Sequence, residues 1–368
     1  VIWEPDRLDD QQHLTDGDPG GMLLAVAASA AQVRTGHRVA VEAGLPGRVG
    51  QYRPRAVVVV GMGGSAIAGD ILAAVAGRGA PLPIVTVRSY QLPGWVGAAD
   101  LVIAVSCSGR TEETLSATTE AVRRGCRLLA VGSADSPLEA IARQASAPFV
   151  PVPAVGQPRA NVWLLTVPLI VAASALGLVR AEASLFEEVA VTLEAIAHRC
   201  RPSSESFINP GKTLAMELAE SVPMIWGTSP LAAVAGYRLA CQLNENAKYP
   251  AVFGELPEAN HNQVVAFDGP FAQRDIFSDE PGRGLRLVLV RDSEEHPQVT
   301  RRREASARLA HERDVPVSEL AAEGEHPLVR MASLIGIADY ASVYLALGYG
   351  IDPTPVSAIT ELKARIAE

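Results

Sequence analysis

Short, continuous apolar runs alternate with amphipathic stretches along most of the chain. Ala56–Val60, Ile84–Val87, Leu101–Val105 and Arg127–Val131 read as strands buried on both faces, because their apolar residues run on without polar alternation. Helical spacing fills the gaps at Ser65–Val75, Glu112–Arg124 and Pro137–Gln144. Strand alternating with helix predicts a parallel sheet covered on both faces, with ligands at the carboxyl ends of its strands. An amphipathic helix is expected over 20–45, from about Gly21, with Pro46–Arg55 leading to the first strand. Pro148–Pro153 reads as a short edge or extended segment.

The pattern then breaks and restarts. Val162–Leu178 is almost wholly apolar, but it is short of a membrane span and contains Pro168. Arg159 and Arg180 bracket it, so it reads as a buried or interface helix and no membrane segment is expected. A helix over Ala183–His198 and a linker over Arg201–Pro210 follow. The second half predicts helices at Thr213–Glu220, Ser229–Asn244, Gln298–Glu312, Pro327–Leu347 and Val356–Ile366. Its strands fall at Val222–Trp226, Leu285–Val290 and Val315–Leu320. The expectation is an α/β protein of two halves without an obvious sequence repeat. Residues 20–155 form the first domain, 156–210 the connection and 211–368 the second domain.

Composition narrows the picture. At 368 residues, with 48% hydrophobic and 20% charged, the chain can fill two cores and shows no sign of disorder. A net charge of -9 argues against nucleic acid as a main partner, although a local cationic site could still hold an anion. Cys107, Cys126, Cys200 and Cys241 form no CxxC pair, so neither a metal cluster nor a disulfide framework is expected. No histidine follows Cys107 closely, which makes packing its expected role. The acidic start VIWEPDRLDD has no signal-peptide character, and a cytoplasmic location is the expectation.

Two strand-to-helix turns carry the candidate chemistry. In AVVVVGMGGSAIAGD, Ala56–Asp70, and DLVIAVSCSGRTEET, Asp100–Thr114, glycines and hydroxyls crowd the point where a helix begins. Helix starts offer unpaired N–H groups and the positive end of the dipole, and Ser106, Ser108 and Thr111 add hydroxyl donors. Two such turns suit a sugar phosphate. GMGGSA also fits a loose dinucleotide fingerprint, and Arg88 could meet the 2'-phosphate of NADP, so an oxidoreductase is one alternative. Against it, Gly63, Gly64 and Ser65 suit a hydroxyl-bearing nest, no acid stands ready for a ribose, and the second loop has no purpose there. A plainer reading of that loop is a helix capped by Ser108 or Thr111. Glu112 and Glu113 should face away from a bound anion.

With those loops in place the chain resembles the bifunctional phosphoglucose/phosphomannose isomerases, proteins with sugar isomerase (SIS) domains. The marks are GMGGSAIAGD at 61–70, SCSGRTEET at 106–114 and PRA at 158–160. They continue with NENAKYPAVFGELPEANHNQVVAF, Asn244–Phe267, and DYASVYLALGYGIDPTPVSAITELK, Asp339–Lys363. The resemblance implies two SIS-type domains, each a mostly parallel sheet flanked by helices. It also implies a homodimer, and isomerisation of a sugar phosphate without metal or nucleotide cofactor.

Moving a carbonyl between C1 and C2 requires ring opening, a base, a cation and a polar cradle. Glu245, in NENAK after an apolar helix, suits a base in a partly dry pocket, and the resemblance places the base there. Histidine is the side-chain type suited to passing protons at neutral pH, and the resemblance makes His261 the ring-opening group, contributed by the neighbouring subunit. Arg159 matches the arginine beside the enediol oxygens, and Lys363 the lysine near the substrate O5. Gly63, Gly64, Ser65, Ser106, Ser108 and Thr111 would bind phosphate and sugar. Thr354, between two prolines in DPTP, is the small residue expected near C1–C2, where it would leave room for both epimers; a helix cap is the other reading. Arg110, Cys107 and Ala66 depart from residues frequent in relatives. A sugar-phosphate sensor that binds without turnover is the second alternative.

Overall fold

The computed structural model describes residues 2–153, 155–272 and 284–366. The chain opens with α1 (Gln11–Gly17), α2 (Met22–Ala27), α3 (Ser29–Glu42) and α4 (Leu45–Val49). Next come β1 (Val57–Val60), α5 (Gly63–Ala76), β2 (Ile84–Val87), β3 (Leu101–Ser106), α6 (Glu112–Arg123), β4 (Arg127–Gly132), α7 (Pro137–Gln144) and β5 (Phe149–Pro151). Then α8 (Val162–Ala175), α9 (Ala183–Arg199), α10 (Pro210–Leu218), β6 (Ser221–Gly227), α11 (Pro230–Asn246) and β7 (Val252–Glu255) follow. The last elements are β8 (Gly284–Arg291), α12 (Pro297–His311), β9 (Val317–Ala321), α13 (Pro327–Gly348) and α14 (Ser357–Ile366). They divide into two compact units. One comprises Ala27–Glu194 with His326–Val329, the other Val1–Val26, Ala195–Glu325 and Arg330–Glu368.

The Ala27–Glu194 unit is a parallel five-stranded sheet in the order β2-β1-β3-β4-β5. Its interior strand β1, VVVV, is buried along its whole length, as expected where helices cover both faces. Val57–Val60 of β1 pair in step with Leu101–Ala104 of β3, so the turns after both strands emerge side by side. The long helix predicted over 20–45 is instead two, α2 and α3, broken at Ala28. A short helix, α4, replaces part of the expected link, after Gly44 turns the chain in the left-handed region at φ 66°.

The apolar helix α8 is buried from Val162 through Ala173 and packs against α3 and α5 of its own unit. It is therefore a core helix, apolar all round, and it has little exposed surface to offer a subunit interface.

The second unit has four parallel strands in the order β7-β6-β8-β9. The apolar pattern does not foresee the edge strand β7: it is four residues long and Val252 is 41% exposed, so it lacks a long apolar run. α13 is long and apolar enough to cross a membrane, but its apolar stretch is buried inside the protein, where it forms the centre of a core. The N-terminal segment is tied to this unit. The fully buried Lys212 ammonium donates to Asp9 Oδ1 at 3.1 Å and to the carbonyls of Pro202 and Ser204 at 2.8 and 2.7 Å. Trp3 packs edge-on against Tyr349 with ring centroids 5.1 Å apart.

Candidate active site

In the first unit the sheet connects outward in one direction from β1 to β2 and in the other from β3 to β5. That reversal opens a crevice at the carboxyl ends of β1 and β3, where ligands of open α/β sheets bind. Both phosphate-type turns lie there. Met62, at the N-cap of α5, makes no side-chain cap, and neither does Thr111 at the N-cap of α6. No N-cap side chain thus competes with an anion for the first-turn N–H groups, of which Ser65 N already donates to the Met62 carbonyl at 3.1 Å. The Thr111 hydroxyl goes instead to Ser106 Oγ, 3.0 Å away, which corrects the reading of Thr111 or Ser108 as a simple helix cap.

The two loops are stitched together. Cys107 N donates to Ser65 Oγ at 3.2 Å, and Ser133 Oγ donates to the Cys107 carbonyl at 2.7 Å. Gly109 sits at φ 63°, and a Cβ there would fall on the Ser136 side chain, so both backbone and space demand glycine. Ser108 is exposed and accepts from Arg110 N at 3.2 Å. Burial pushes the Cys107 thiol up to about 11, which keeps it protonated and fits a packing role.

Arg159 lies in a 3-10 turn, Pro158–Ala160, and is only 4% exposed. Its Nη1 donates to Gln157 Oε1 at 3.2 Å. A Cβ on Gly64 would stand 3.5 Å from the Arg159 Cα, so the start of α5 and the arginine segment approach closely. Gly63, at φ 51°, has open space where a side chain would be. Gly63, Gly64, Ser65, Ser106, Thr111 and Arg159 therefore come from distant positions to one end of one sheet. Arg88, the candidate for an NADP phosphate, forms an ion pair with Asp70 of α5. Glu113 lies beside Tyr90 and pushes its phenol up through the charge of its carboxylate.

The other candidates belong to the second unit. Glu245 is half-buried in the last turn of α11. A polar ladder fixes the rotation of that helix against α13. Arg238 donates to both Asp339 oxygens at 2.9 and 2.7 Å, Gln242 to Asp339 Oδ1 at 3.2 Å, and Asn246 to Ser342 Oγ at 2.9 Å. Lys248 Nζ donates to the carbonyls of Asn246, Asp352 and Pro353 at 3.0, 2.9 and 3.3 Å. The Glu245 segment and the Thr354 turn are thereby held together.

His261 is exposed at the end of a 3-10 turn, Glu258–His261, but its surroundings are anchored. Gln263 accepts from Trp226 Nε1 at 2.6 Å and donates to the Phe253 carbonyl at 2.9 Å, while Asn260 donates to Ser306 Oγ at 2.8 Å. Lys363 is exposed on α14, a helix with no buried residue.

The corresponding crevice of the second sheet, between β6 and β8, holds a carboxylate of the protein itself. Asp292 accepts from Ser229 Oγ at 2.9 Å and pairs with Arg330 Nε at 2.8 Å. The buried Asp292 and Arg330 thus satisfy each other at the end of β8.

The sequence reading missed supporting residues. Ser133 and Ser136 follow β4 in GSADSP, a third strand-to-glycine-and-serine turn that was open to the same logic as the first two. Lys248 stands inside the quoted NENAK motif, but nothing local distinguishes it from a surface lysine.

Residues 207–366 match the model of the bacterial phospho-glucose isomerase C-terminal SIS domain. A bifunctional phosphoglucose/phosphomannose isomerase of Caldicellulosiruptor bescii is 34% identical over 312 residues, which span 85% of this chain and 89% of the relative. One from Aquifex aeolicus is 31% identical over 313 residues, spanning 85% and 90% of the two chains. Among solved structures, a hypothetical protein of Thermus thermophilus shares the fold, with a TM-score of 0.70, 16% identity, and coverage of 99% of this chain and 94% of its own. The similarity to the two isomerases extends over most of a chain built on two parallel sheets: this chain belongs to the bifunctional phosphoglucose/phosphomannose isomerase family of SIS-domain proteins.

Proposed function

We propose that the protein is an aldose–ketose isomerase that interconverts glucose 6-phosphate or mannose 6-phosphate with fructose 6-phosphate. The observation that carries this is the pair of stitched helix starts at the ends of β1 and β3, with Arg159 packed against Gly64. That cradle offers backbone N–H groups, hydroxyls and a fixed cation to a phosphorylated sugar. The names of the relatives point to the same substrates.

In this reading Ser65, Ser106, Ser108 and Thr111 hold the phosphate, and the Gly63–Gly64 backbone lies along the sugar. His261 of the neighbouring subunit passes a proton to the ring oxygen as the ring opens, and Lys363 stands near O5. Glu245 takes the proton from C2 of the open aldose and returns it to C1, while Arg159 stabilises the charge on the cis-enediol oxygens. The proton and the carbonyl exchange places, and nothing is oxidised overall. Thr354 leaves room at C2, so either face of the enediol can be protonated and both epimers serve. The working form is a cytoplasmic homodimer that needs no metal or nucleotide. The anchored but exposed His261 turn supports a role across a subunit boundary.

Purified protein is incubated with fructose 6-phosphate and a glucose-6-phosphate dehydrogenase couple, then with mannose 6-phosphate. Turnover of both is expected. Tight binding without turnover would make the protein a sensor, and turnover of the glucose epimer alone would remove dual specificity.

A further inference from the structure

We infer that Gly20 and Lys248 clamp the Thr354 turn from two sides and are specificity-determining positioning residues. The inference rests on the reading that Thr354 governs tolerance at C2.

On one side lies the N-terminal turn. Asp18 accepts from Met22 N and Leu23 N at 2.7 and 2.8 Å, capping α2, and Gly21 N donates to the Asp18 carbonyl at 3.0 Å. These bonds pin the turn that carries Gly20. A Cβ built on Gly20 would fall on the Thr354 hydroxyl and lie 2.6 Å from both its Cβ and its Cγ2. Gly20 is not among the residues with positive φ, so the requirement for glycine there is one of space and not of backbone conformation. The neighbour that needs the space is Thr354 itself.

On the other side is Lys248. Its ammonium reaches two carbonyls of the turn, Asp352 and Pro353, and one carbonyl beside Glu245, that of Asn246. An ammonium has three donors, so one side chain can serve all three. Lys248 sits at φ 54°, a conformation uncommon for lysine, which turns the chain sharply after α11. Within the turn, Thr354 N donates to Asp352 Oδ1 at 2.9 Å. Thr354 is thus bounded by a hydrogen-bonded turn on one face and by a strap to the Glu245 segment on the other. A side chain at position 20, or loss of the strap, must move Thr354 relative to Glu245. Epimer choice depends on ångström-scale room, and a displacement of about 1 Å can change a rate by about 10²-fold.

The test measures kcat/KM for mannose 6-phosphate and for glucose 6-phosphate in four proteins: unmodified, Gly20→Ala, Lys248→Met and Lys248→Arg. Gly20→Ala and Lys248→Met should each shift the ratio of the two substrates by about tenfold. Lys248→Arg keeps a charged donor for the turn carbonyls and should stay closer to the unmodified ratio than Lys248→Met. A merely structural role would lower both substrates together and leave the ratio unmoved, which would overturn the clamp while the isomerase reading stands. If Gly20→Ala fails to fold, Lys248→Met decides from the opposite side. An unmodified protein inactive on both sugars would overturn the reading, and the clamp with it, so the two failures appear in different samples.

Discussion

The polar ladder between α11 and α13 yields the sharpest energetic prediction. Arg238 and Asp339 are 1% and 4% exposed at their side chains and meet in a two-bond fork. Burial drives the Asp339 carboxyl upward and Arg238 opposes it, so the carboxylate depends on its partner. Replacing Asp339 by leucine leaves a guanidinium buried without its counter-charge. Breaking such a pair costs about 3–5 kcal/mol. For a unit of this size each kcal/mol lowers the melting midpoint by about 2–4 °C, so a fall of roughly 6–20 °C is expected. Arg238→Met alone should also destabilise, because it strands the carboxylate beside Gln242. The double variant Arg238→Met with Asp339→Leu removes both charges and should recover most of the loss, since apolar replacements of buried pairs are often neutral or better. Urea and thermal unfolding, followed by circular dichroism and tryptophan fluorescence, would complete the double-mutant cycle. A loss below about 1 kcal/mol in Asp339→Leu, or a double variant as unstable as the worse single one, would refute the argument that the charges compensate each other.

Two further outcomes follow from the sites. Glu245→Gln should abolish exchange of the C2 proton with solvent while phosphate binding persists, a loss of about 10²–10⁴-fold. Near-normal exchange in that variant would show that another group is the base. Mixing inactive Glu245→Gln and His261→Ala chains should restore activity in hybrid dimers, and hybrids that form yet stay inactive would place both residues in one subunit. On the acid side, Asp100 is fully buried. Burial pushes its carboxyl up, but hydrogen bonds from Arg55 and Gly97 N outweigh this and hold it below the ordinary carboxylate value. Its contribution to stability is therefore present above about pH 4 and lost as pH falls through the depressed value. The acid limb of the stability profile should flatten in Asp100→Asn, and an unchanged limb would exclude Asp100 as a source of acid sensitivity.

Some of this protein is written locally. Short apolar runs bounded by turn residues favour strands buried on both faces, and β1, β3, β4, β6 and β8 lie where that pattern puts them. Pro137 and Gln144 bound α7 as expected, because proline suits a helix start. Glycines and hydroxyls after β1 and β3 marked the phosphate-type turns for the same reason: helix ends and tight turns depend on nearby side chains. Other features depended on residues far apart in sequence. The strand order that brings the two turns to one crevice is decided by which strands pair, and no single run encodes it. The buried ion pair at the end of β8 exists only once Asp292 meets Arg330, 38 residues later in the chain. The apolar helix α8 could have faced a partner by composition alone, and only packing against α3 and α5 made it core. Gly20 and Lys248 look like an ordinary turn glycine and a surface lysine until folding brings positions more than a hundred residues away against them. Local periodicity and capping report on neighbours within a turn or two, whereas the placement of a catalytic side chain is set by long-range contacts whose partners the sequence does not name.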